Sequence, residues 1–294
     1  MTLGLPRWGY LAIAGSLLVA VLGRVVLLRM ARPRPWFTYS MSPLSPADYN
    51  ALAARAGWAK SSLRMTDGVS LDGLVCRPTQ PGAPWVLFFP GNDGTQLAHG
   101  QLLLERIRAA HPWGLALYAS RGYDSSGGTP DPKSFASDAI SVFDNLLREQ
   151  QLEPSQLHVV AFSLGGFGAA HAVSHAAKAG KKPATLSLLA SVARVAMVRN
   201  GALAQLTTGD VYDLLPILPA VPAPVLVVQG GADEAFGDLP QGKVIADSLG
   251  ERARYLELPG VGHNALLESE SAISAVRSAI ETASKVGTAS EATR

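Results

Sequence analysis

Three residues stand in an order that could carry acyl-transfer chemistry: Ser163, Asp233 and His263. Ser163 lies in Ala161-Phe162-Ser163-Leu164-Gly165-Gly166. That segment ends an apolar run, residues 157–162, and opens a small-residue-rich helix predicted from Leu164 to about Ala179. This is the strand–turn–helix context of a nucleophile elbow. Such a turn is tight and strained, so the positions two before and two after the serine must be small. Here they are Ala161 and Gly165. The turn would lift the Ser163 hydroxyl above the carboxyl ends of the strands, where open α/β sheets bind ligands.

A serine hydroxyl is a weak nucleophile until a base takes its proton. Asp233 follows 70 residues later in Val227-Val228-Gln229-Gly230-Gly231-Ala232-Asp233, and His263 follows 30 after that in Leu258-Pro259-Gly260-Val261-Gly262-His263. Each sits just past a predicted strand. The spacing between them is one strand–helix–strand length, so their loops can be neighbours. The chemistry this order supports is attack by Ser163 on an acyl carbon, with His263 as base and Asp233 orienting it. Two backbone N–H groups should then hold the oxyanion. One is Leu164 N–H, directly after the nucleophile. The other is assigned to Asn92 N–H in Pro90-Gly91-Asn92-Asp93-Gly94, the glycine-bearing loop after the run Trp85–Phe89.

Other polar residues read as structural. His171 and His175 stand four apart on the helix after Ser163, but the helical zinc motif needs Glu where Ala172 stands. No metal ligand set and no organic cofactor are expected. Asp93 and Asp124 read as turn residues near the mouth of the site. Arg121 reads as a tie between loops. Cys76 is the single cysteine, so no internal disulfide framework exists.

The elements that must position these residues alternate. A hairpin around Thr66-Asp67-Gly68 comes first. Predicted strands follow at 85–89, 115–118, 157–162, 184–190, 225–228 and 253–258, and predicted helices at 95–109, 134–149, 164–179, 240–249 and 264–284. This pattern specifies a mostly parallel, eight-stranded α/β sheet with helices on both faces. Residues 191–224 break the alternation and are expected to be a small lid insertion. The apolar residues there, among them Val195, Met197, Leu203 and Leu206, favour an acyl or lipid-like substrate.

The N-terminus reads as a separate piece. Residues 8–28 carry Arg24 as their single charge and span about 21 residues, the length a helix needs to cross a bilayer. A cleaved signal peptide is the alternative, but Val21-Leu22-Gly23 is a poor cleavage site and the apolar run resumes beyond it. The expected organisation is an anchor over 1–32, a linker over 33–57, a catalytic domain over 58–286 and a flexible tail over 287–294. The chain would then be single-pass in the cell membrane, with the side of the domain left open. Residues 1–35 hold five arginines and no acid, whereas the remainder carries 20 basic against 23 acidic residues. The overall charge of +2 therefore describes the flanks of the span, and a nucleic-acid binder is not expected.

Beyond the triad pattern, two motifs carry a family likeness. Phe89-Pro90-Gly91-Asn92-Asp93-Gly94 resembles His-Gly-Asn-x-Gly, with Pro90 in place of the histidine. Arg121-Gly122-Tyr123-Asp124-Ser125-Ser126-Gly127-Gly128-Thr129-Pro130 resembles Arg-Gly-Tyr-Gly-x-Ser-x-Gly-x-Pro, with Asp124 in place of a glycine. Ala119 stands where an aspartate is usual. Over residues 58–284 the chain resembles the α/β-hydrolase superfamily of serine hydrolases. Within it, the chain looks like the membrane-anchored branch that includes monoacylglycerol lipase-like and acyl-protein thioesterase-like enzymes. The resemblance implies hydrolysis of a small-molecule ester or thioester. A prolyl-oligopeptidase-type peptidase and a non-catalytic binding protein of the same fold are the alternatives.

Overall fold

The computed structural model describes residues 39–194, 212–222, 224–235 and 240–291, together with Gly23; over 286–291 it describes the backbone alone. The candidate membrane segment 8–28, Gly23 apart, and residues 195–211 of the lid candidate lie outside the described residues. Among the described residues, no helix is long and apolar enough to cross a membrane.

Eight strands form one sheet: β1 (Trp58–Arg64), β2 (Ser70–Cys76), β3 (Trp85–Phe89), β4 (Gly114–Tyr118), β5 (Leu157–Phe162), β6 (Thr185–Leu189), β7 (Val225–Gly230) and β8 (Ala253–Leu258). Their order is β1-β2-β4-β3-β5-β6-β7-β8. β2 pairs antiparallel with both neighbours, and every pairing from β4 to β8 is parallel. The expected hairpin closes through Met65 N–H to Val69 O at 2.7 Å.

The apolar runs explain the layers. Every residue of β3, β4, β5, β6 and β7 is buried. Alternate residues point to opposite faces. Trp85, Leu87 and Phe89 join one core with α3 (Pro132–Glu149), α4 (Gly165–Lys178) and α5 (Gln241–Leu249). Val86 and Phe88 join the other, with α1 (Pro46–Ala53), α2 (Gln96–Arg108) and α6 (Glu270–Glu291). His158, on β5, is fully buried, and burial pushes its imidazole down to about 4, so it packs neutral, with Nδ1 2.9 Å from Thr185 Oγ1.

Two boundaries differ from expectation. The stretch expected as linker contains α1, and Tyr49 on it is buried, donating its hydroxyl to Gly73 O at 2.7 Å. The domain therefore begins before residue 58. The physical cause is local: Ser45 caps the helix through Asp48 N–H, and Pro46 supplies a helix-compatible φ at the first turn. At the other end, α6 continues to Glu291, through part of the segment expected as a tail.

Candidate active site

The turn after β5 places Ser163 with φ +52°, a left-handed conformation that a side chain adopts only under constraint. Its N–H donates to Leu189 O at 2.9 Å, which fixes the turn to β6. α4 begins two residues later. A Cβ on Gly165 would lie 2.2 Å from Phe89 O, so only glycine lets the helix start this close to the end of β3.

The loops after β7 and β8 lie side by side. Gly231 N–H donates to Leu258 O at 2.8 Å, and Ala232 N–H donates to Val261 O at 3.0 Å. This lacing brings His263 Nδ1 to 2.8 Å from Asp233 Oδ2. On the other side of the ring, Nε2 is 3.1 Å from Ser163 Oγ. A carboxylate accepts only, so Nδ1 carries the proton that it donates to Asp233. Nε2 is then left as an acceptor for the Ser163 hydroxyl. The Asp233 side chain is 2% exposed, and its Oδ1 accepts from Ala235 N–H at 3.0 Å. The His263 ring packs on Phe162 at 4.8 Å between centroids.

The loop after β3 closes the other side. A Cβ on Gly91 would come within 3.0 Å of Ser163 Cβ, which puts the loop against the elbow. Gln96 holds it from beneath, its Nε2 donating to Gly91 O at 2.7 Å and its Oε1 accepting from Ser120 N–H at 2.6 Å. Asn92 Oδ1 accepts from Ser40 N–H at 2.8 Å and from the Tyr123 hydroxyl. Leu164 is buried beside Phe135, Phe167 and Tyr212, an aromatic wall next to the nucleophile.

The remaining polar residues divide as their surroundings dictate. Arg121 grips Asp138 with two bonds, 2.9 and 2.7 Å, and reaches Asp67 at 2.5 Å, so it ties three segments together. Asp93 is partly buried, yet bonds from Thr95 and His99 hold its carboxyl below the usual range; its Oδ2 is 2.6 Å from His99 Nδ1. Asp124 accepts Leu97 N–H at 2.7 Å at the start of α2, while its Oδ1 is buried without a partner. His171 packs edge-on against Phe167 at 4.5 Å. At the lid candidate, Ala193 O accepts from Leu214 N–H at 2.9 Å and Arg194 pairs with Asp213 at 2.9 Å, so the described ends meet.

Sequence reasoning missed Gln229 and Gln96. Gln229 Nε2 donates to Asp233 Oδ2 at 2.9 Å, and its Oε1 accepts Gly242 N–H at 3.0 Å. The signal was available: it is the one polar side chain in the apolar run of β7.

No family model matches the chain. The strand order and the elbow define an α/β-hydrolase-fold protein, and solved structures agree. An alpha-beta hydrolase from Vibrio vulnificus superposes with a TM-score of 0.64 at 20% identity, over 77% of this chain and 83% of that one. The enol-lactonase from Burkholderia xenovorans LB400 gives 0.57 at 17% identity, over 76% and 100%. A membrane phospholipase A gives 0.57 at 15% identity, over 94% and 99%. More specifically, the chain belongs to one family with the uncharacterized protein Rv2307c of Mycobacterium tuberculosis strain H37Rv. It is 32% identical to that protein over 220 residues, 72% of this chain and 75% of the relative. The uncharacterized protein MT2364 of strain CDC 1551 matches to the same extent.

Proposed function

We propose that this protein is a serine hydrolase that cleaves a carboxylic ester or thioester through an acyl-enzyme. Ser163 Oγ attacks the carbonyl carbon as His263 Nε2 takes its proton. Asp233 holds the imidazole tautomer and stabilises the imidazolium. The N–H groups of Leu164 and Asn92 receive the oxyanion. His263 then protonates the leaving alcohol or thiol, and water activated by the same nitrogen releases the acid. Losing one oxyanion donor costs about 3–4 kcal/mol of transition-state stabilisation in such sites.

The observation that carries this reading is the unbroken Asp233–His263–Ser163 chain, 2.8 and 3.1 Å, ending on a serine held at positive φ. The wall formed by Phe135, Leu164, Phe167 and Tyr212 supports an acyl or lipid-like substrate. The apolar segment 8–28 supports single-pass anchoring at the cell membrane. Steady-state hydrolysis of p-nitrophenyl esters of increasing chain length tests both parts. Turnover lost in Ser163→Ala and rising with chain length is the expected result. Undiminished turnover in Ser163→Ala would overturn the serine mechanism, and a strict preference for acetate would overturn the lipid-like substrate.

A further inference from the structure

Residues 39–44 form a strap ahead of α1 that lies against the Asn92–Gly94 loop and the loop at Asp124. Ser40 N–H donates to Asn92 Oδ1 at 2.8 Å. The strap lies tight on the same loop further on: a Cβ on Gly94 would meet Ser42 Oγ at 2.5 Å and Ser40 O at 2.8 Å. It then pairs with the second loop. Pro43 bridges to Asp124, and Leu44 N–H donates to Asp124 O at 3.0 Å. Tyr39 reaches two further walls. Its ring stands edge-on to Tyr123, 6.5 Å between centroids, and its hydroxyl lies 2.7 Å from that of Tyr212.

We propose that this strap is a positioning element of the active site, holding Asn92, and with it the second oxyanion donor, in register with Ser163. The inference rests on the serine-hydrolase reading above. Asn92 is the point where the strap, Tyr123 and the loop after β3 converge. Its side chain accepts from the strap and from Tyr123, while Gln96 holds the carbonyl of the Gly91–Asn92 peptide, so that N–H is held from both sides. A donor acts in catalysis only if it is aimed before charge develops. Ser40 and Tyr123 touch no reacting atom in this account; they act through Asn92. The segment between the candidate anchor and the sheet is therefore part of the catalytic apparatus and not a passive tether.

Two full-chain variants test this. Ser40→Pro removes the N–H and keeps an extended strap, and Tyr123→Phe removes the hydroxyl alone. Each is expected to lower kcat about 10- to 100-fold with KM within twofold and an unchanged melting temperature. In an Asn92→Ala background neither should cost anything further, because the partner through which they act is gone. Wild-type kcat in Ser40→Pro would overturn the proposal, as would losses that stay additive with Asn92→Ala. If Ser40→Pro fails to fold, Gly94→Ala, whose added Cβ would push Ser40 and Ser42 off the loop, takes its place with the same expected loss. Wild-type turnover that persists in Ser163→Ala would instead overturn the serine-hydrolase reading, and the strap's role with it.

Discussion

Gln229 and His263 share one oxygen. Asp233 Oδ2 accepts from Gln229 Nε2 at 2.9 Å and faces His263 Nδ1 at 2.8 Å. Gln229 also accepts from Gly242 N–H, so the carboxylate is tied to the start of α5. The orientation of the base is thus set through Asp233 by a residue three hydrogen bonds away from the nucleophile.

Replacing Gln229 should lower turnover without removing the triad. A hydrogen bond to a charged group contributes about 1.5–3 kcal/mol. Partial loss in Gln229→Leu is expected to reduce kcat about tenfold at constant KM. Gln229→Glu should reduce it further, because it sets a second carboxylate against Asp233. Steady-state kinetics check this, and equal kcat for wild type and Gln229→Leu would remove Gln229 from the account.

The Arg121–Asp138 pair is expected to matter for stability more than for chemistry. Both side chains are 9% exposed. Removing one partner of such a pair costs about 3–5 kcal/mol, since the other charge stays buried and unpaired. Arg121→Met should therefore melt well below wild type. The double variant Arg121→Met/Asp138→Leu should recover most of that loss, because it buries no charge. A double variant no more stable than Arg121→Met would show that the loss does not come from the stranded carboxylate.

Asp124 gives a pH-dependent prediction. Burial pushes its carboxyl up to about 6, while the Leu97 N–H pulls it down and the Asp93 charge adds to the rise. The folded chain thus holds this proton more tightly than the unfolded chain, whose value is 3.8. The resulting stability is present in full below about pH 4 and is lost as pH rises through about 6. Asp124→Asn cannot ionise and still offers an oxygen to Leu97 N–H. It should match wild type near pH 4 and exceed it at pH 8 by on the order of 2 kcal/mol, a few degrees for a domain of this size. Thermal melts at both pH values check the sign; an Asn variant that melts lower at pH 8 would contradict it.

How much the sequence discloses depends on the kind of signal. The sheet is legible because its buried strands are largely apolar, as in Trp85–Phe89 between Pro84 and Pro90 and in Val225–Val228 after Pro224. Ser163, Asp233 and His263 are legible because each stands just past a predicted strand, and chain order sets which loops meet. α1 was overlooked because three prolines and three serines stand in residues 33–45 ahead of it, although Ser45-Pro46-Ala47-Asp48 is itself a helix start. Gln96 and Gln229 were overlooked because a side chain's partner across the sheet has no local pattern. The strap over Asn92 is legible only in three dimensions, since Ser40 and Asn92 are 52 residues apart and nothing in the sequence around Ser40 pairs it with Asn92.

The most direct test of the central claim is covalent labelling by a fluorophosphonate probe, read by intact mass and peptide mapping. The account predicts a single adduct on Ser163 in the wild-type protein, much slower formation in His263→Ala, and none in Ser163→Ala. Labelling that persists in Ser163→Ala, or a folded wild-type protein that takes up no probe, would contradict it.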